Sequence, residues 1–145
     1  MIKRNPFNVL VRLRAIEEKQ ARASLANTRQ AHDRARQKLD ELKEQQLDEL
    51  AVEEILGAAQ LRSLQLRGLG SHEMLVAAAQ VVRQSERAMS VKSAEWRRAA
   101  ADLDAAERLD EKKRQQLAQE AAKASEKAMD DLVAMLHGRP GDGLI

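Results

Sequence analysis

A chain of 145 residues has the length of one domain. Charged residues make up 33% of it and aromatics 1%, so it lacks the large side chains that fill a compact globular core. The net charge of +2 excludes a polybasic protein, the absence of Cys excludes disulfides and thiolate metal sites, and no apolar run approaches the roughly 20 residues that span a bilayer.

The chain opens on a helix start. Asn5-Pro6 supplies an N-cap and then a proline at the first helical position, where a missing N–H costs nothing. Neither Gly nor Pro follows until Gly57, so a helix of about 75 Å is predicted over residues 6–56. Its buried seam runs through Phe7, Val11, Arg14, Glu18, Ala21, Leu25, Thr28, His32, Ala35, Leu39 and Leu42. Near Leu47 and Leu50 the apolar residues move by one position, which predicts a stutter.

Leu56-Gly57 starts a break. Residues 57–71 read as a short helix or loop carrying Leu61, Leu64 and Leu66, closed by a turn at Gly68-Leu69-Gly70-Ser71 with Ser71 as the next N-cap. The second long helix is predicted over 72–137. Its seam steps in sevens through Leu75, Val82, Met89, Trp96, Leu103, Asp110 and Leu117, apolar except at Asp110. Three residues after each come Ala78, Ser85, Lys92, Ala99, Ala106, Lys113 and Glu120. Gly138 is a natural residue to follow a helix end, and 138–145 reads as a flexible tail.

Two long helices with one apolar stripe each, joined by a short connection, fold back on each other. The predicted fold is therefore all-α: an antiparallel two-helix coiled-coil hairpin forming a single domain over 1–137. Matched arms, 6–56 against 80–137, would put both chain ends at one end and residues 57–78 at the tip. Phe7 and its neighbours would then face the last helical turn, where Asp130, Asp131, Leu132 and Met135 lie. Glu18 with Arg22, Asp104 with Arg108 and Asp110 with Arg114 have the spacing of helix-surface ion pairs, each worth about 0.2–0.5 kcal/mol.

Catalytic apparatus is sparse. His32, His72 and His137 fall in mid-helix, at the tip and at the far end, too dispersed to share a metal. Carboxylates are abundant, but a two-helix rod offers no pocket to shift their pKa values. Gly68-Leu69-Gly70-Ser71 lacks the lysine and spacing of a phosphate loop. The reading is a non-enzyme without metal or cofactor. The basic clusters Arg97-Arg98 and Lys112-Lys113-Arg114 are interrupted by Asp102, Asp104, Glu107, Asp110 and Glu111, so they read as solvated helix faces and not as a track for nucleic acid. Residues 1–14 are basic but lack the apolar core and cleavage site of a signal peptide, and a cytoplasmic protein is expected.

Several short features together resemble a known family. They are Phe7 and Leu10 as an early Phe-x-x-Leu, an Ala/Arg/Glu-rich first arm, Trp96-Arg97 in the second, and Met129-Asp130-Asp131-Leu132 near the end. With these the chain resembles the flagellar export protein FliJ family and, more distantly, the stalk proteins of virulence type III secretion systems. The family commonly carries Glu where Asp131 stands. The resemblance implies an antiparallel coiled coil, similar to the central stalk of rotary ATPases, at the cytoplasmic face of the inner membrane. It implies a hexameric flagellar export ATPase as partner, contacted through Phe7, Leu10, Arg14, Asp130, Asp131 and Leu132. It also implies contact with the cytoplasmic domain of the export gate through the tip, at Leu64, Leu66, Leu69, Met74 and Leu75, and a role with export chaperones. The aromatic residues that relatives place at the tip are missing here. Outside this resemblance, the residues alone also suit a homodimeric structural coiled coil or chaperone of unknown clients, or a weak nucleic-acid or membrane-surface binder.

Overall fold

The computed structural model describes residues 5–53 and 57–138, apart from the side chains of Val52, Glu53, Ala58, Ala59, Leu61 and Leu64. The N-terminal Lys3 and Arg4, the Leu56 break and the tail beyond Gly138 lie outside the described residues. Two helices, α1 (Phe7–Glu53) and α2 (Ala58–His137), pack against each other as a hairpin, and there is no strand among the described residues. Their packing falls into two units. One pairs α1 from Glu17 onward with α2 up to Ala100. The other pairs the start of α1 with α2 from Ala101.

In the first of these units the pairing is antiparallel. Going up α1, Glu18 meets Trp96, His32 meets Glu86 and Glu49 meets Ser71. Burial follows the helical repeat on both sides. On α1 the residues withdrawn from solvent include Ala21, Leu25, Thr28, His32, Ala35, Leu39 and Leu42, continuing to Gln46 and Glu49. On α2 they include Leu75, Ala78, Val82, Ser85, Met89, Lys92, Trp96 and Ala99. Leu25 and Val82 are the large apolar residues of this unit most fully removed from water, at 4% and 8% exposure. Full burial of a side chain of that size is worth about 2 kcal/mol.

Three sequence expectations are corrected here. No stutter occurs at Leu47 and Leu50. The seam keeps its frame through the polar Gln46 and Glu49, while Leu47 and Leu50 stay exposed at 65% and 51%. The backbone repeat prevails over side-chain polarity, and Glu49 is held by the Ser71 hydroxyl at 3.2 Å. Second, no turn forms at Gly68–Ser71, and α2 begins at Ala58, not at 72. Neither glycine has positive φ. Each costs about 1 kcal/mol against alanine in a helix, too little to break one whose neighbours are Leu, Arg and Met. Ser71, read as a cap, spends its hydroxyl on Glu49. Third, the arms do not end together at the tip. α1 runs four residues past Glu49, about 6 Å, whereas α2 starts thirteen residues before Ser71, about 20 Å. On the first turns of α2, Leu66 and Leu69 are exposed at 72% and 67%.

In the other unit, Asn5 does two jobs. Its Oδ1 accepts from the Phe7 N–H at 3.0 Å, an N-cap made on the second helical residue after Pro6. Its Nδ2 donates to Asp110 Oδ1 at 2.6 Å and reaches the Asp110 carbonyl at 3.3 Å. Arg114 closes on Asp110 from one turn further at 3.1 Å. Ala106, at 2% exposure, lets the helices approach closely beside this link. The start of α1 thus lies level with Asp110, not with the last turn of α2. Past that point α2 continues without α1, and every residue from Ala118 to Gly138 is exposed. Gly138 ends the helix through its N–H to the Ala134 carbonyl, 2.8 Å away. A Cβ there would sit 2.9 Å from the same oxygen, so the close approach needs glycine.

Candidate docking surfaces

Several polar residues of the seam are held by hydrogen bonds within the hairpin, Glu18 most fully. Glu18, 6% exposed, accepts from Arg22 Nε at 3.0 Å, from Arg22 Nη2 at 2.7 Å and from the indole N–H of Trp96 at 3.0 Å. These donors, Arg22 first and then Trp96, hold its carboxyl below the usual glutamate value, against the opposing effect of burial. A lowered folded-state value means that the unfolded chain binds more protons in that range. The stabilisation is thus complete above the ordinary glutamate pKa and is lost as pH falls through the lowered one. The gap in thermal midpoint between the protein and Glu18→Gln should therefore narrow from pH 7 toward about pH 3. A gap constant over that range would mean that the carboxylate charge adds nothing.

His32, 8% exposed, has a buried Nε2 with no hydrogen bond; the Glu86 carboxylate lies 3.6 Å away. His72 and His137 are exposed, and no cluster of metal-ligating side chains occurs among the described residues. The expected ion pairs Asp104–Arg108 and Asp110–Arg114 close at 2.9 and 3.1 Å.

Apolar surface with no partner is the feature left to explain. In the unit built on Glu17–Ala100, the small Ala35, Ala77 and Ala78 leave an open groove between the helices, walled by Leu42, Met74, Val81 and the stem of Lys38. Met74 is 55% exposed, and Leu75 beside it turns into the seam. Leu66 and Leu69 are exposed near the start of α2, and Leu64 lies outside the described side chains.

In the unit that contains both chain ends, Phe7, Leu10 and Arg14 are half-buried against α2. Asp130, Asp131 and Leu132 are exposed, Leu132 at 53%. The structure does not bring these two sets together. Twenty residues of helix separate Asp110, where α1 begins, from Asp130, about 30 Å. The outward stripe on α1 is instead Val9, Leu13 and Ile16, at 71%, 50% and 55% exposure. Sequence reasoning also passed over Val133 and Leu136. With Met129 and Leu132 they have the i, i+3, i+4, i+7 spacing of a docking helix, a signal that was there to read.

A family comparison decides what kind of protein this is. The family described as "FliJ: Flagellar FliJ protein" matches residues 3–142, nearly the whole chain. The chain belongs to the FliJ family. A FliJ protein is a component of the flagellar type III export apparatus, of structural or adaptor type. Neither the curated proteins nor the solved structures gave a match. Among the described residues of this FliJ-family chain, no helix is long and apolar enough to cross a membrane.

Proposed function

We propose that this chain is a non-enzymatic stalk or adaptor that links the hexameric flagellar export ATPase to the cytoplasmic domain of the export gate, at the cytoplasmic face of the inner membrane, and assists delivery of chaperones and their substrates. The observation that carries this reading is large apolar side chains exposed toward both ends of α2, Leu66 and Leu69 in one unit and Leu132 and Leu136 in the other. A helix that only closed a hairpin would need no large apolar side chains where its partner is absent. The ATPase contact is assigned to Asp130, Asp131 and Leu132, with Phe7, Leu10 and Arg14 as a shoulder further back. The gate contact is assigned to Leu64, Leu66, Leu69, Met74 and Leu75, with the groove beside Met74 as its floor.

Purified export ATPase and gate cytoplasmic domain, each titrated separately with the full chain, test the assignment. Leu66→Ser with Leu69→Ser should weaken gate binding at least about tenfold and leave ATPase binding unchanged. A chain that binds neither partner and leaves ATP hydrolysis unchanged would overturn the proposal.

A further inference from the structure

One flank of the unit built on Glu17–Ala100 carries a basic ladder. On α1, Arg22, Arg29, Arg36 and Lys43 stand at seven-residue intervals, all exposed. Each lies four residues after a seam residue, Glu18, Leu25, His32 or Leu39, so the line runs alongside the seam at a constant distance. Successive rungs are about 10.5 Å apart. Arg22 is spent on Glu18. Arg29, Arg36 and Lys43 have no ion pair or hydrogen bond among the described residues.

An open trough between the helices runs beside this ladder, lined by Leu25, Arg29, Glu86, Met89, Ser90 and Ser93. Across it, α2 offers little negative charge. Its facing line is Ala79, Glu86, Ser93 and Ala100, and the Glu86 carboxylate lies 3.6 Å from His32 Nε2 in the seam. Next to that line α2 adds Arg83 and Arg97, seven residues to either side of Ser90 and likewise unpaired. The other flank differs. There the matching line on α1 is Ser24, Ala31, Lys38 and Gln45, beside the apolar groove at Met74 and Val81. Charges beside a coiled-coil seam select the helix that packs there. α2 lacks the acids that would match the ladder, so the ladder does not serve the pairing of α1 with α2.

Asp33 and Asp40 sit between the rungs, one step further from the seam. A phosphate backbone or an anionic bilayer would bring the same negative charge to the rungs and to these acids. Between Arg22 and Lys43 no large apolar side chain of α1 is exposed for a bilayer to bury. A helix can place an acid opposite each rung and a base opposite Asp33 and Asp40, with small apolar side chains on Leu25 and Met89. This sequence nowhere has three acids in succession at seven-residue intervals, so a second copy of the chain does not supply the match. We propose that this flank holds an acidic amphipathic helix of a partner protein, laid along the trough with its carboxylates on Arg29, Arg36 and Lys43 and on Arg83 and Arg97. The surface shares no residue with those assigned to the ATPase and the gate.

The probe is a designed helix of about four heptads with Glu at every seventh position beside an Ala/Leu face, and its control is a peptide of the same composition with the Glu positions scrambled. Both are titrated with the full chain at low and at physiological salt. The ordered peptide should bind at least about tenfold more tightly than the scrambled one. Arg29→Glu with Arg36→Glu should weaken its binding at least about tenfold at low salt and remove most of the salt dependence. Arg34→Glu with Arg98→Glu, the same change of charge off this flank, should leave binding unchanged. All four positions are exposed, so the thermal midpoint should stay the same in both variants. No binding of the ordered peptide, equal binding of the scrambled one, or equal loss from the Arg34 and Arg98 pair would overturn the proposal. Tighter capture by duplex DNA or phosphatidylserine vesicles, dependent on Arg29 and Arg36, would overturn the choice of a protein helix.

Discussion

Trp96→Ala should be the most damaging single substitution in the hairpin. The indole is half-buried in the seam and is the largest side chain there. Truncating a well-packed Trp costs about 3–5 kcal/mol, and partial exposure puts Trp96 toward the lower end. The loss has two parts that can be separated. The ring fills space between the helices, and its N–H is one of the two donor groups on the buried Glu18 carboxylate. Trp96→Phe keeps most of the ring and removes the donor, so it should cost clearly less than Trp96→Ala. Thermal unfolding followed by helix ellipticity measures both. Equal losses for Phe and Ala would place the whole effect in the hydrogen bond, and no loss for either would show that Trp96 does not hold the helices together.

The same contact explains what the sequence could and could not reveal. The 3.5-residue step from Leu75 to Leu117 coincides with burial at every heptad position, and so does the more polar series on α1 from Phe7 to Leu42. Periodicity is a property of one helix and can be read from one sequence. The relative shift of two helices is not. It is set here by Asn5 with Asp110, Glu18 with Trp96 and Glu49 with Ser71. Apart from Trp96, these residues are of common types, exposed in most settings and free to find several partners, so none announced its pair in advance. Matched arms were the natural assumption, and they placed Phe7 beside Asp131. The Asn5–Asp110 link instead sets the start of α1 beside Asp110, and the end of α2 is exposed. The Gly68–Ser71 misreading has a similar cause. Glycine marks a turn where φ must be positive, and at negative φ it only weakens a helix that its neighbours sustain.

Removal of residues 118–145 should abolish ATPase binding while leaving the thermal midpoint of the remaining hairpin within a few degrees of the full chain. From Ala118 on, every described residue of α2 is exposed, so removing this stretch takes little buried surface from the hairpin. That stretch is helical for other reasons. Nucleation, the costly step, has already been met in the paired part of α2, and propagation adds one hydrogen bond per residue. The sequence favours propagation, with Ala at 118, 121, 122, 124, 128 and 134 and no Gly or Pro before Gly138. Helical signal should fall roughly in proportion to the residues removed, without a change in cooperativity. A drop in midpoint of ten degrees or more would mean that the segment packs on α1 in solution, since about 1 kcal/mol moves a domain of this size only a few degrees. Binding that survives the truncation would instead move the ATPase contact back to Phe7, Leu10, Val9 and Leu13 on α1. An exposed helix that is already formed and carries apolar side chains has the form needed to enter a partner's groove without ordering new structure on binding.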